Sequence, residues 1–195
     1  MKNLIDRKTI YTNLIILGLG IIFGIIFLIF TSSLDKEIVK TEITDFITSF
    51  NDNSHNLSNF INSFKTNILY IIFICVFSCF YILSPLVLFV NFYKGLQIGF
   101  LMASTILTYK IKGITYSLIL LFPHHVIMAL LIVLYSSIML KYSIKLFKAT
   151  KEGKNINMAL FIKRVTILFI GALIVCLICS LLEIYINPLL MRLML

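Results

Sequence analysis

Four long runs of this chain contain no charged residue: Thr9 to Leu34, Thr66 to Tyr93, Gly113 to Leu140 and Val165 to Leu182, the last resuming beyond Glu183 as far as Met191. A helix rising 1.5 Å per residue needs roughly 20 apolar residues to cross about 30 Å of hydrocarbon, and these runs meet or nearly meet that length. A fifth run, Gly95 to Tyr109, is shorter and fits either a tilted span or a re-entrant segment. Soluble domains are about half apolar and about a quarter charged. This chain is 60% hydrophobic and 13% charged, with a mean hydropathy of +1.04, so a bilayer is its solvent.

Charge placement decides between five crossings and four, because removing one crossing inverts the side of every later loop. The segment Lys141 to Arg164 carries Lys141, Lys145, Lys148, Lys151, Lys154, Lys163 and Arg164 against the single acid Glu152, a strong cytoplasmic signal. The N-terminal segment, with Lys2, Arg7 and Lys8, is basic too. Five crossings put both inside together with Lys94, so that eleven of the 17 basic residues are cytoplasmic. A re-entrant fifth run would turn the lysine-rich segment outward. The expectation is therefore an all-α polytopic bundle, one domain over 1–195, with spans at about 10–30, 66–90, 93–109, 114–140 and 165–190. Its N-terminus is expected inside and its C-terminus outside. The first run is too long for a signal peptide's apolar core and ends in Thr31-Ser32-Ser33 without a cleavage pattern, which reads as a retained anchor.

Two connecting segments have character of their own. The external loop 31–65 holds Asp35, Glu37, Glu42, Asp45 and Asp52, five of the eight acids. Within it Val39, Ile43, Phe46, Ile47 and Phe50, and then Leu57, Phe60, Ile61 and Phe64, recur at helical spacing. Two amphipathic helices follow, lying on lipid or on the bundle, or forming a platform for an extracytoplasmic partner. In the basic cytoplasmic loop 141–164, Lys141, Lys145 and Lys148 place a cationic stripe on a continuation of the preceding helix, for which attraction to anionic lipid is sufficient. The net charge of +9 lies in such segments, which argues for membrane orientation and against nucleic acid.

No residue pattern points to catalysis or a metal. Phosphate loops, HExxH and nucleophile elbows are missing. Cys176 and Cys179 form a CxxC, but both lie in an apolar run, as do Cys75 and Cys79, and packing is the simpler reading. The expectations are no enzyme activity, no cofactor and no metal.

Gly95, Gly99 and Ala103 stand four apart, a flat face for close helix packing, with Gly20 and Gly24 a lesser counterpart. Pro85, Pro123 and Pro188 are expected to kink helices. His124, Glu183 and Asn187 are the candidate intramembrane polar residues. Adjacent His124 and His125 diverge by about 100° on a helix, which excludes a paired metal site, and structural hydrogen bonding to a neighbouring helix is favoured over a proton relay. Glu183, 18 residues after Val165, is expected near the outer hydrocarbon edge. No internal repeat of the kind that builds secondary transporters is present.

Phe64 to Asn67 (FKTN), Phe92 to Phe100 (FYKGLQIGF), Leu121 to Ala129 (LFPHHVIMA) and Leu182 to Leu190 (LEIYINPLL), in this order and spacing, resemble the stage II sporulation protein M family. The resemblance runs from about Phe60 to Leu195 and more loosely over the anchor and acidic loop. It implies about five membrane helices without enzymatic activity. It further implies a scaffold in endospore formation that holds peptidoglycan-degrading stage II sporulation proteins D and P at the septal or engulfing membrane of the mother cell. Many wider-family members carry a glutamate soon after the proline-histidine pair, where this chain has Val126, Ile127 and Met128, and the sporulation branch fits better. A different class of reading is a small permease or channel subunit with a path lined by Pro85, Pro123, His124 and Glu183. A homo-oligomer is compatible with both.

Overall fold

The computed structural model describes residues 6–48, 57–122, 124–153 and 158–192. Its elements are α1 (Arg7–Phe30), α2 (Ser33–Thr48), α3 (Leu57–Cys79), a 3-10 turn (Tyr81–Leu83), α4 (Ser84–Tyr109), α5 (Ile111–Leu121), α6 (His124–Lys151) and α7 (Met158–Arg192), with no strand among the described residues. Five helical stretches are long and apolar enough to cross a membrane: Arg7–Phe30, Asn59–Cys79, Tyr81–Tyr109, His124–Lys151 and Met158–Met191.

The boundaries differ from the expected ones at two places. The break between the second and third spans falls at Phe80 to Leu83, whereas the uncharged run predicts a span to about residue 90 and a new one from 93. Ser84-Pro85 opens α4, and a proline in the first turn forfeits a backbone donor that no helical carbonyl needs. Pro85 therefore starts a helix instead of kinking one. Lys94, expected in a cytoplasmic turn, lies in the middle of α4. The fourth span differs likewise: the apolar run from Gly113 is divided into α5 and α6. Pro123, at that division, is outside the described residues. Pro188 lies inside α7, which continues unbroken to Arg192.

The apolar face expected of a second amphipathic helix, Phe60 to Phe64, is the first part of α3 and leads directly into the span. Phe50 and Asp52 lie outside the described residues. The cationic continuation of the fourth span is present, since α6 runs through Lys141, Lys145 and Lys148 to Lys151.

The closest helix pair is α1 with α4. A Cβ added at Gly20 or Gly24 would collide with the carbonyl oxygens of Phe92 and Leu96, and one at Gly95 or Gly99 with those of Leu17 and Ile21. These four glycines thus let two backbones touch, which in lipid substitutes dispersion contact for the absent hydrophobic drive. Phe23 and Phe27 flank the seam, their rings 5.7 Å and 6.3 Å from those of Phe92 and Phe100. Ala103, half-buried, continues the α4 face beside Ile25 and Leu28.

The remaining spans share a core of Ile71, Ile74, Val87, Met128, Ile132, Met139, Cys176 and Cys179. All four cysteines are free thiols. Outward faces are apolar, with Ile15, Phe27, Phe89, Leu130 and Ile174 all exposed, as a lipid-facing surface requires.

Outside the spans, α2 rests on one end of the bundle through Ile47, which is buried against Tyr116 and Met191, with Ile43 beside it. Ser32 caps the helix by accepting from the Asp35 backbone N–H at 3.2 Å. Lys36 reaches back to donate to the Ile29 carbonyl at 2.7 Å, satisfying an acceptor at the end of α1.

Candidate functional site

All four helices that enclose the core, α3, α4, α6 and α7, place polar or ionisable side chains in one region. Lys94 points from α4 into the bundle and is only 2% exposed. Its Nζ is 3.4 Å from Nδ1 of His125 at the start of α6 and 5.0 Å from the centroid of the Tyr70 ring on α3. Tyr70 donates its hydroxyl hydrogen bond to the side-chain carbonyl of Gln97, one turn along α4. An ammonium has three protons to place, and these contacts satisfy them incompletely.

Glu183 on α7 is within electrostatic reach of Lys94 but engages other partners. Its Oε2 accepts from the Ser63 hydroxyl of α3 and lies 3.7 Å from Nε2 of His124. Its side chain is 34% exposed, so the cluster reaches the surface of the bundle through the carboxylate. Asn187, one turn further along α7, donates from Nδ2 to His124 Nδ1 at 3.0 Å and lies 3.4 Å from the Leu120 carbonyl. With Nδ1 the acceptor, the neutral ring carries its proton on Nε2, directed toward Glu183. That nitrogen and the Asn187 Oδ1 are buried without a hydrogen-bond partner.

His124, Glu183 and Asn187, all candidates from sequence, are thus brought together. The two histidine rings also approach, with centroids 4.0 Å apart at 37°. The expected divergence applies to their Cα positions; at the first two residues of α6 there is no preceding turn to restrict the rotamers. Among the described residues no group of three or more His, Cys, Asp or Glu side chains forms a metal-binding cluster.

The sequence alone does not single out Lys94, Tyr70, Gln97 or Ser63. Lys94 separates two uncharged runs and so reads as a loop cation, and only the helix-opening Ser84-Pro85 signals that α4 has begun ten residues earlier.

A second polar group ties α1, α4 and α6. Asn13 donates to Ser137 Oγ at 2.7 Å, and Asn91 Nδ2 is 3.1 Å from both Asn13 Oδ1 and Ser136 Oγ. All four residues are at most 1% exposed. A third contact, Asn67 Nδ2 to Ser180 Oγ at 3.2 Å, joins α3 to α7. Such bonds fix helix rotation, because a polar side chain turned toward lipid loses its partner.

Comparison with curated proteins and with solved structures gave no match. The sequence profile described as stage II sporulation protein M matches residues 13–188, which include every helix from α2 to α6 and the whole buried cluster. With nearly the entire length matched and five membrane-spanning helices in place, the chain belongs to the stage II sporulation protein M family.

Proposed function

We propose that this protein is a non-enzymatic scaffold in forespore engulfment, recruiting peptidoglycan-degrading proteins to the septal membrane of the mother cell. The partners are stage II sporulation proteins D and P. The orientation is N-terminus inside and C-terminus outside, supported by the basic N-terminal segment and the basic stretch between α6 and α7. With Lys94 in the bundle, ten cations remain on the cytoplasmic side against six outside.

One observation carries the reading beyond family membership. On the wall side, α2 is held to the bundle by Ile47 while Asp35, Glu37, Glu42 and Asp45 are exposed, together with the large apolar Leu34 and Ile38. An anchored helix with acidic and apolar groups facing away from the bundle suits capture of a basic or amphipathic partner surface. Reversing the four acids to lysine is expected to abolish co-purification with proteins D and P while membrane insertion is retained. Undiminished capture rejects α2 as the recruiting surface.

The incompletely partnered Lys94 and His124 favour a second reading, a permease or channel subunit. In that reading His124 and Glu183 line the path, whereas Pro85 stands nine residues before Lys94, about 13 Å away along α4. Flux through reconstituted protein that Glu183→Gln or His124→Ala reduces supports it, and absence of flux over a broad ion and solute panel rejects it.

A further inference from the structure

A groove of about 360 Å³ lies between α1 and α4 at the end of the bundle that carries α2, walled by Ile25, Leu28 and Ile29 of α1 and by Ala103, Ile106 and Leu107 of α4. It opens where the seam between the two helices runs out of glycine. Gly20 meets Phe92 and Leu96, and Gly24 meets Leu96 and Phe100. One turn further, the same register brings Leu28 to the level of Ala103, and a leucine at the position that glycine holds below keeps the backbones apart. Ile29 and Ile106 are 61% and 39% exposed, so the groove is open on its lipid-facing side.

Lys36, in the first turn of α2, borders the groove. Its Nζ donates to the Ile29 carbonyl at 2.7 Å, which leaves two ammonium protons for another acceptor. The adjacent Asp35 carboxylate accepts from the Ser32 hydroxyl at 2.6 Å, and among the described residues no carboxylate is within ion-pair distance of Lys36. Depth follows from helix length. Counted from Thr9, the first residue after Lys8, about 20 residues or 30 Å of helix end at Ile29. The ammonium therefore stands at the edge of the hydrocarbon. Ile25 and Ala103 lie one helical turn, about 5.4 Å, deeper than Ile29 and Leu107.

We infer that this groove binds one glycerophospholipid, with its phosphate on Lys36 and one acyl chain along Leu28, Ala103 and Ile25. The order of the groups selects this occupant: a cation with protons to donate at the membrane surface, and apolar walls running from it toward the membrane centre. A water-soluble peptide would have to bring its backbone into hydrocarbon to reach Ile25, stripping polar groups of water. A membrane helix, from a partner or a second copy, is about 10 Å across and does not enter between helices whose backbones touch one turn below. A single hydrocarbon chain is slender enough. The bound phosphate would tie the first turn of α2 to α1 and α4, and the site does not depend on the recruiting role given to α2.

The test uses full-length protein in a maltoside detergent, which carries no phosphate, titrated with phosphatidylglycerol and followed by native mass spectrometry. One saturable copy is expected, and diacylglycerol with the same chains should fail to displace it. Lys36→Gln should weaken binding about fivefold, the worth of one cation near a membrane surface, while Lys40→Gln, one turn along α2 and exposed, leaves it unchanged. Ala103→Phe, which fills the groove with every charge kept, should abolish the saturable copy. Lys36→Gln alters no packing within the spans and carries the test if Ala103→Phe fails to fold. Displacement by diacylglycerol, unsaturable binding, equal weakening by the two lysine variants, retention of the copy in Ala103→Phe, or a dimer of the protein that excludes the lipid overturns the inference.

Discussion

Lys94 and His125 meet inside the membrane domain, Nζ 3.4 Å from Nδ1, although 31 residues separate them and neither has a carboxylate within ion-pair distance among the described residues. A lysine in the middle of a span is costly in hydrocarbon, and its cost here is offset by the Tyr70 ring, by His125 and by the nearby Glu183 carboxylate. Replacing a buried ion by a well-packed apolar group is often neutral or stabilising. Lys94→Met is therefore expected to preserve or raise thermal stability in detergent, whereas Lys94→Glu, which sets two acids near each other, should cost several degrees or prevent folding. Thermal unfolding of the two purified variants checks this, and a severe loss in Lys94→Met would show that the ammonium has a tight partner in the folded protein.

The boundary of α4 gives a sharper check. Cysteine introduced at Ile82, which is 88% exposed in the turn before α4, should react rapidly with a maleimide, and one introduced at Lys94 should not. Comparable labelling at the two sites would restore a loop at residue 94.

Which parts of this fold the sequence discloses follows from how each signal arises. Span number is legible because hydrocarbon excludes charge, so uncharged runs can be measured against bilayer thickness. The same rule misplaces Lys94, since a cation compensated by partners from other helices looks identical to one in a loop. Gly95 and Gly99 announce a close approach by their spacing, but their partner α1 emerges only from the tertiary contacts. Glu183 and His124 stand out as polar groups in apolar runs. Their relation to Ser63, 120 residues before Glu183, is set by packing alone.

The α1–α4 seam predicts an asymmetry among glycines. Gly24→Leu and Gly99→Leu drive a side chain into the opposing backbone and should destabilise by about 1–3 kcal/mol or more. Gly18→Leu, with no atom within 4 Å of its added Cβ, should be nearly neutral. Detergent unfolding midpoints of the three variants measure the difference.

For the Asn13, Asn91, Ser136 and Ser137 network, Asn91→Leu strands the Asn13 Oδ1 and removes the bond to Ser136, whose hydroxyl keeps the Val133 carbonyl, and should cost about 1–2 kcal/mol. A double-mutant cycle with Asn13→Leu should return a coupling of at least about 0.5 kcal/mol. Strict additivity would show that the two asparagines act separately.

Pro85→Ala is expected to change stability by less than about 1 kcal/mol, since the residue opens α4 and no interior helical bond is regained. A large gain would place it in a helix interior.

The claim that α2 recruits wall-side partners is tested most directly by a photo-crosslinking residue placed at Glu42 in sporulating cells, with the same residue at Lys148 as the opposite-end comparison. Crosslinks to stage II sporulation protein D or P are expected from position 42 and none from 148. Crosslinks from 148 with none from 42 would contradict both the orientation and the recruiting surface.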